Sequence, residues 1–271
     1  MKYDDTIGGD IIQTDFFVNE IKPPANYQCF LGAYYRKAVS SKDLWIGIEG
    51  SVVLPTLFFD PNRIDLTKPG KYLDNVSVYF GGNSDGQETD IGLLWEIIRY
   101  DNGTVSNERL AFRPFMRRTG HSKTGQAAIY QNAPANKSFY WYSNDIVKIT
   151  LKLVEPGKLK LSVIGSGKSY ETIFEANGYQ YYNKAEYKRV NAIDQVANEG
   201  KPVQPTKTKV FGAKWLEVYL LRMVNSNLVK AVMHPKRFTS MKCPSSNFIN
   251  VFSYDENSSI ENINLSGDCL V

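Results

Sequence analysis

Three glutamates that stand close to a tryptophan are the residues of this chain best suited to acid and base chemistry. The three pairs are Trp45 with Glu49, Trp95 with Glu96, and Trp215 with Glu217. Two carboxylates beside tryptophans on one sheet can cleave a glycosidic bond, one as the acid and the other as nucleophile or base. Because none of the three glutamates belongs to an acid-x-acid repeat, a second interpretation stays open, in which they lie on the solvated side of a sheet.

Aromatic side chains could hold the sugar itself, because the face of a pyranose ring packs well on a flat aromatic surface. Trp45 and Trp141 are the candidates for such contacts. Trp141 lies between Tyr140 and Tyr142, so in a strand at least one of these three side chains points outward. The alternative is that the tryptophans belong to the core, since large aromatic residues dominate the interior of β-sandwiches.

A glycine-rich segment carries several oxygen ligands close together. They are Asn83, Asp85, Glu88 and Asp90. Such a composition suits calcium, which binds carboxylate and amide oxygens, although the spacing differs from that of the helix-loop-helix motif. We therefore consider a calcium site at Asn83, Asp85 and Glu88, with a solvated turn as the alternative.

The composition predicts an all-β protein with a substantial core. Of the 271 residues, 42% are hydrophobic, and 17 tyrosines and 14 phenylalanines favour strands over helices. The 32 basic and 28 acidic residues leave a net charge of only +4. A protein that binds nucleic acid usually carries a clustered basic stripe, so we expect no nucleic-acid partner.

The chain shows neither the pattern of a signal peptide nor that of a membrane span. Its start, MKYDDTIGGD, is acidic where a signal peptide is basic and then apolar. No apolar run approaches the roughly 18 residues of a spanning helix. We expect a soluble protein, and its localisation stays open.

The cysteines do not form a recognisable framework. Cys29, Cys243 and Cys269 are odd in number and have the spacing of neither a zinc site nor a set of disulfides. We predict three free thiols. The alternative is a single bridge such as Cys243 with Cys269.

The alternation of hydrophobic residues assigns strands to the candidate residues. Lys209 to Met223 predicts a central strand of a large sheet, because both of its faces carry bulky side chains. Val147 to Val163 predicts a hairpin with one wet face. Short strands joined by tight turns, without helical patterns between them, indicate an antiparallel sandwich.

We predict a single domain over residues 1–271. Residues 1–26 form an extended N-terminal lead-in that lies across the sandwich. Residues 179–208 break the rhythm of strands and form a long connection, with a short helix at 191–198, that covers one sheet.

The order of four segments resembles that of the glutamic peptidases of the fungal acid-protease type. The segments are Trp45-Ile46-Gly47-Ile48-Glu49-Gly50, Asp90-Ile91-Gly92, the meander from Asn144 to Phe174, and Ala213-Lys214-Trp215-Leu216-Glu217. The first, second and fourth are similar to that family's tryptophan-glycine-acid-glycine, glutamine-threonine-glycine and alanine-glutamate-tryptophan segments. The resemblance spans Trp45 to Glu217 and implies a concanavalin-A-like jelly-roll sandwich of two antiparallel sheets.

The resemblance also implies that both catalytic positions are substituted. In the family a glutamate activates a water, and a glutamine amide polarises the scissile carbonyl. Lys214 stands at the glutamate position and Asp90 at the glutamine position. We expect these two residues to face each other across the cleft as an ion pair, which would abolish that mechanism. If the register is shifted by a few residues, Glu217 or Glu96 could be the acid.

Two functions are compatible with these patterns. The first is a non-catalytic β-sandwich protein that binds a ligand, a carbohydrate, or assembles with copies of itself. Its ligand-binding residues would be Trp45, Glu49, Asp90, Glu96, Lys214, Glu217 and Trp141. The alternative is a hydrolase of the glutamic-peptidase or glycosidase type, with a rearranged carboxylate site at Glu217 or Glu96.

Overall fold

The computed structural model describes residues 6–7, 10–66, 72–96, 102, 104, 111–253 and 258–269. Within these ranges the chain forms strands, tight turns and three short 3-10 helices, at Lys137–Phe139, Pro235–Arg237 and Ser246–Phe248. None of the helices in these ranges has the length and apolar character needed to cross a membrane.

The strands are β1 Thr6–Ile7, β2 Asp10–Gln13, β3 Ala33–Ser40, β4 Gly47–Val53, β5 Thr56–Phe58, β6 Asp74–Ser84, β7 Gln87–Glu96, β8 Ala111–Arg118, β9 Ile129–Asn132, β10 Trp141–Tyr142, β11 Ile146–Glu155, β12 Lys158–Gly165, β13 Lys168–Glu175, β14 Ala185–Gln195, β15 Lys209–Val224, β16 Asn227–Val232, β17 Phe238–Cys243, β18 Ile249–Ser253 and β19 Glu261–Ser266.

Eleven of the described strands form one sheet, sheet A, with the main order β1-β2-β16-β15-β4-β11-β12-β13. Strands β5 and β19 also pair with β15, and β18 pairs with β19. Strand β15 is 16 residues long and pairs with four other strands. This confirms the prediction of a central strand at Lys209 to Met223.

The other eight described strands form sheet B, in the order β10-β8-β7-β6-β14-β3-β17, with β9 beside β8. All described strand pairs in sheet B are antiparallel, and in sheet A only β16 with β2 is parallel. The two sheets enclose a core in which Ile149 and Leu151 of sheet A, and Val78, Phe80 and Leu93 of sheet B, are fully buried. The protein is therefore an all-β sandwich of two sheets, as predicted.

The predicted hairpin is strands β11 and β12. Val147, Ile149, Leu151 and Leu153 lie in the core, while Lys148 and Lys152 alternate with them on the outer side. Burying each of these aliphatic side chains contributes about 1.5 to 3 kcal/mol to folding. The wet outer face and the dry inner face follow directly from the period of two along a strand.

The predicted connection over residues 179–208 is not a loop throughout, and the helix predicted at 191–198 is wrong. Strand β14 runs through it and pairs over its whole length with β6 on one side and from Lys188 to Asp194 with β3 on the other. The signal was hidden because two inward-facing residues of β14 are polar, namely Arg189 and Asn191, each 1% exposed. Tertiary pairing on both edges overrides the weak local pattern.

The prediction of three free thiols is also wrong. Cys29 and Cys243 form a disulfide across 214 residues of sequence, with a Cα–Cα distance of 5.8 Å, and Cys269 is a free, exposed thiol. The bridge attaches the segment before β3 to the end of β17. The spacing of the cysteines along the chain does not indicate a contact at such a separation. The alternative prediction, a bridge between Cys243 and Cys269, paired Cys243 with the wrong cysteine.

The N-terminal lead-in contributes to both sheets. Residues 1–5 and 8–9 lie outside the described residues, and β1 and β2 extend the edge of sheet A through β16. Farther along, Thr239 donates a hydrogen bond to the carbonyl of Pro24. The lead-in thus runs from the edge of sheet A to β17 of sheet B, and the segment 28–33 that follows it forms one wall of the cleft described below.

Candidate functional site

The three glutamates selected from the sequence do not form one site. Glu49 and Glu217 lie on the outer face of sheet A, where Glu49 pairs with Lys148 at 3.1 Å and Lys230 at 2.6 Å. Glu217 accepts a hydrogen bond from Ser51 at 2.9 Å. Glu96 lies on β7 of sheet B. Since Glu96 and Glu217 belong to different sheets, the predicted site that would combine their carboxylates is not formed.

The two tryptophans predicted to stack on a ligand are buried. Trp45 is 2% exposed and Trp141 is 0% exposed. The indole nitrogen of Trp141 donates a hydrogen bond to the carbonyl of Gly165 at 2.9 Å. Neither ring presents a face to solvent, so both are core residues and the prediction that they touch a ligand is corrected.

Asp90 and Lys214 do not face each other. Lys214 lies on β15 of sheet A between the buried residues Ala213 and Trp215, so its side chain points away from the core. Asp90 lies on β7 of sheet B. The predicted pair is therefore wrong, because the two residues belong to different sheets.

The outer face of sheet B carries a cleft of about 670 Å³, which we call the sheet B cleft. Strands β3, β6, β7, β8 and β14 provide its floor, and the segment 28–33 provides one wall. Its ionisable residues include Lys37, Glu88, Asp90, Arg117, Lys188, Asp194 and Glu199, and its aromatic residues are Phe30, Tyr79, Phe115 and Tyr130. Charged, polar and aromatic groups converge here as they do in ligand sites of this size.

Asp90 has a cation on each side. Its Oδ1 lies 2.9 Å from Lys188 Nζ, and its Oδ2 lies 3.9 Å from Arg117 Nη1. Burial disfavours the charge on Lys188, but the attraction of Asp90 and Glu88 outweighs it and raises the pKa of this lysine above its ordinary value. Asp90 therefore has a lysine partner in the cleft, although it is Lys188 and not Lys214.

Asp194 is a carboxyl group of this cleft whose pKa is raised by burial. Burial raises the pKa of Asp194 to about 6, against the opposing effect of a hydrogen bond from Ser77 Oγ at 2.9 Å. A carboxyl group with such a pKa can hold or release a proton near neutral pH. Asp90 and Asp194 thus differ in environment within one cleft.

Lys37 is a partly buried lysine on β3 at the wall formed by Phe30. Burial, followed by repulsion from Lys188, lowers the pKa of Lys37 to about 8. Its Nζ lies 5.2 Å from the centre of the Phe30 ring and 5.4 Å from the centre of the Tyr35 ring. These two rings stack on each other at 4.1 Å.

Comparison with known proteins finds similarity at the level of structure. No family model matches the sequence, and no curated protein matches it. A scytalido-glutamic peptidase bound to a transition-state analogue has 7% identity, with 85% of this chain and 97% of that chain covered and a TM-score of 0.48. SCP-B, a peptidase of the eqolisin family, has 6% identity over 85% of this chain and 97% of its own, with a TM-score of 0.41.

A glycoside hydrolase gives a weaker match. The catalytic domain of an endo-1,3-beta-glucanase from Thermotoga petrophila has 11% identity, with 66% of this chain and 75% of that chain covered and a TM-score of 0.33. The similarity lies in the fold. It agrees with the resemblance to glutamic peptidases at that level, and at such identities it says nothing of the chemistry.

Glu186 is a residue of this face that the sequence analysis missed. It lies on β14 two residues before Lys188, on the same side of the sheet, and accepts a hydrogen bond from the Tyr27 hydroxyl at 3.0 Å. Glu186 stands between Ala185 and Tyr187 and beside no tryptophan, so the search for glutamates close to a tryptophan passes over it.

The residues considered for calcium are engaged elsewhere. Asp85 contacts Lys123 and also lies 3.3 Å from His121 Nε2, while Glu88 lies 3.5 Å from Lys188 Nζ. Within the described ranges no group of three or more His, Cys, Asp or Glu residues is arranged to hold a metal ion. The calcium site at Asn83, Asp85 and Glu88 stays a prediction without a supporting arrangement.

Proposed function

We propose that the protein is a non-catalytic β-sandwich protein that binds a carbohydrate in the sheet B cleft. The observation that carries the proposal is the lining of this cleft, where exposed aromatic rings stand beside hydrogen-bonding charged groups. Tyr130 is 57% exposed and Phe30 is 42% exposed. Sugars need both kinds of surface, because their ring faces are apolar and their edges carry hydroxyl groups.

The state of the cleft carboxylates supports binding over catalysis. Asp90 lies between Lys188 and Arg117, and a carboxylate paired with cations offers only hydrogen-bond acceptors. Glu186, on the same face of sheet B but outside the lining of the cleft, accepts a hydrogen bond from Tyr27. Charged acceptors of this kind suit the hydroxyl groups of a sugar.

A glycan array at neutral pH tests this proposal. The wild-type protein is compared with Tyr130→Ala, which removes an exposed ring from the cleft, and with Tyr182→Ala. Tyr182 is 79% exposed and lies outside the cleft, so it is the matched control. We expect a saccharide that binds the wild type and Tyr182→Ala, and that binds Tyr130→Ala clearly more weakly, since the apolar contact with the ring is lost. Equal binding by all three proteins contradicts the proposal.

A second candidate function is hydrolysis of a peptide or glycosidic bond, and the raised pKa of Asp194 favours it. A carboxyl group that holds its proton near neutral pH can act as a general acid beside a second carboxyl group. In this scheme Asp194 is the acid and Asp90 is the second carboxyl group. Incubation with denatured casein and with oligosaccharides between pH 4 and pH 7 tests the scheme. Cleavage by the wild type that is lost in Asp194→Asn would overturn the non-catalytic proposal.

A further inference from the structure

We infer that the saccharide of the sheet B cleft is acidic and that Lys37 is the residue that binds its carboxylate. This inference rests on the proposed function and adds the chemical class of the ligand. It starts from the three cations that line the cleft, Lys37, Arg117 and Lys188, which differ in whether a carboxylate lies close to them. Lys188 and Arg117 both lie beside Asp90. Among the described residues, no carboxylate oxygen lies within 4.0 Å of Lys37 Nζ.

The position of Lys37 is unusual for a lysine without a close carboxylate. Its side chain is partly buried, and the charged form of a buried ammonium is costly without a counter-ion. The groups that face it are Lys188 and Glu186 on β14 and Glu88 and Asp90 on β7, and the three carboxylates act only from longer range. A ligand carboxylate would supply the missing close partner.

The neighbouring rings indicate how such a ligand would lie. Phe30 is exposed to solvent on the wall of the cleft, and Lys37 Nζ lies 5.2 Å from the centre of its ring. A sugar ring that stacks on Phe30 would bring a substituent of that ring to the ammonium. In a uronic acid this substituent is a carboxylate, which forms a charge-assisted hydrogen bond with lysine. A neutral sugar offers only a hydroxyl group there.

The experiment compares acidic saccharides with their own neutral derivatives. Oligomers of galacturonate, glucuronate and mannuronate are each titrated beside the corresponding methyl ester, which keeps the ring and removes the charge. We expect at least one oligomer to bind wild-type protein about tenfold or more tightly than its ester does, the typical effect of a hydrogen bond to a charged group. In Lys37→Gln this preference should disappear, and in Lys37→Arg it should remain.

Lys168→Gln is the matched control. Lys168 also lies near an aromatic ring, with its Nζ 5.0 Å from the centre of the Tyr142 ring, but it is not part of the sheet B cleft. Its substitution should leave the preference unchanged. The preference for the acid should also weaken between pH 7 and pH 9 in the wild type and not in Lys37→Arg, because the pKa of Lys37 lies at about 8.

The outcomes separate this inference from the proposed function. Binding of neutral saccharides without preference for the acids contradicts the inference and leaves the proposed function standing. A preference for acids that survives in Lys37→Gln also contradicts it, since another cation would then be responsible. Failure of both acids and neutral saccharides to bind contradicts the inference and the proposed function together.

Discussion

Asp90 and Lys188 form an ion pair that crosses an intervening strand, with 2.9 Å between Oδ1 and Nζ. Strand β6 lies between their two strands, and the residue directly between them in register is Gly81. A Cβ atom at position 81 would lie 2.4 Å from both Asp90 Oδ1 and Lys188 Cε. The pair therefore depends on the absence of a side chain at this position.

Replacement of Gly81 by alanine should break this pair. The new methyl group overlaps both partners, and overpacking of this kind costs roughly 1 to 3 kcal/mol of the free energy of unfolding. Urea denaturation of Gly81→Ala measures the loss, and Asp90→Asn provides the comparison in which the charge is removed without added volume. A glycine to alanine change at a compatible site stabilises a protein by roughly 0.4 to 1 kcal/mol. An alanine variant as stable as the wild type would therefore contradict the role given to Gly81.

Glu261 should be far more important for stability than an exposed glutamate. Inside the sandwich, its Oε1 lies 2.8 Å from Arg36, and its Oε2 contacts Arg189. Burial acts to raise the pKa of Glu261, but the two arginines outweigh it and lower that pKa. Glu261→Gln leaves two buried arginines without a carboxylate, and we expect a loss of roughly 3 to 5 kcal/mol in the free energy of unfolding.

The control for this variant is Glu155→Gln. Glu155 pairs with Lys158 at 2.7 Å, but its side chain is 61% exposed, so the variant should change stability by less than about 1 kcal/mol. Denaturation curves of the two variants, recorded side by side, give the comparison. Equal effects would contradict the assignment of Glu261 as a buried counter-ion.

The disulfide predicts a specific pattern of thiol labelling. In the denatured but unreduced protein, an alkylating reagent should modify only Cys269, and after reduction it should also modify Cys29 and Cys243. Because the bridge closes a long loop, Cys29→Ser with Cys243→Ser should lower the free energy of unfolding by roughly 2 to 5 kcal/mol. Mass spectrometry of the alkylated protein counts the thiols. Three labelled cysteines before reduction would show that the bridge is absent.

The titration of Asp194 should be visible in the pH dependence of stability. Its pKa is about 6 in the folded protein and 3.8 ordinarily, so the folded state binds a proton more readily than the unfolded state between these values. The stabilisation is therefore complete below about pH 3.8 and is lost as the pH rises through about 6. Between these limits wild-type stability should fall relative to Asp194→Asn by roughly 1 to 3 kcal/mol. A constant difference between the two proteins would contradict the raised pKa.

The architecture was predictable because alternation is a local property. The hairpin from Val147 to Val163 and the central strand from Lys209 to Met223 both show it clearly, and both were found. Strand β14 was missed because Arg189 and Asn191 interrupt the apolar face that would have indicated it. Their burial depends on Glu261 and Trp215, which lie far away in sequence and supply the charge and the hydrogen bond that these polar groups need.

The candidate site was less predictable than the fold, since it depends on which residues of different strands become neighbours. Asp90 lies in the sheet B cleft, but its lysine partner is Lys188 and not the predicted Lys214 on the other sheet. The segment around Phe30 forms a wall of the sheet B cleft only because of the path that the chain takes across sheet B after the lead-in. No pattern within the segment itself reveals that path.

The most direct test of the central claim is an amide NMR titration of the protein with the saccharide identified on the array. If the sheet B cleft is the binding site, the largest shifts should occur on strands β6, β7 and β14, around Ser77, Asp90 and Lys188. Shifts concentrated on the outer face of sheet A, around Glu49 and Glu217, would contradict the assignment of the site. A spectrum unchanged by the saccharide at saturating concentration would contradict binding itself.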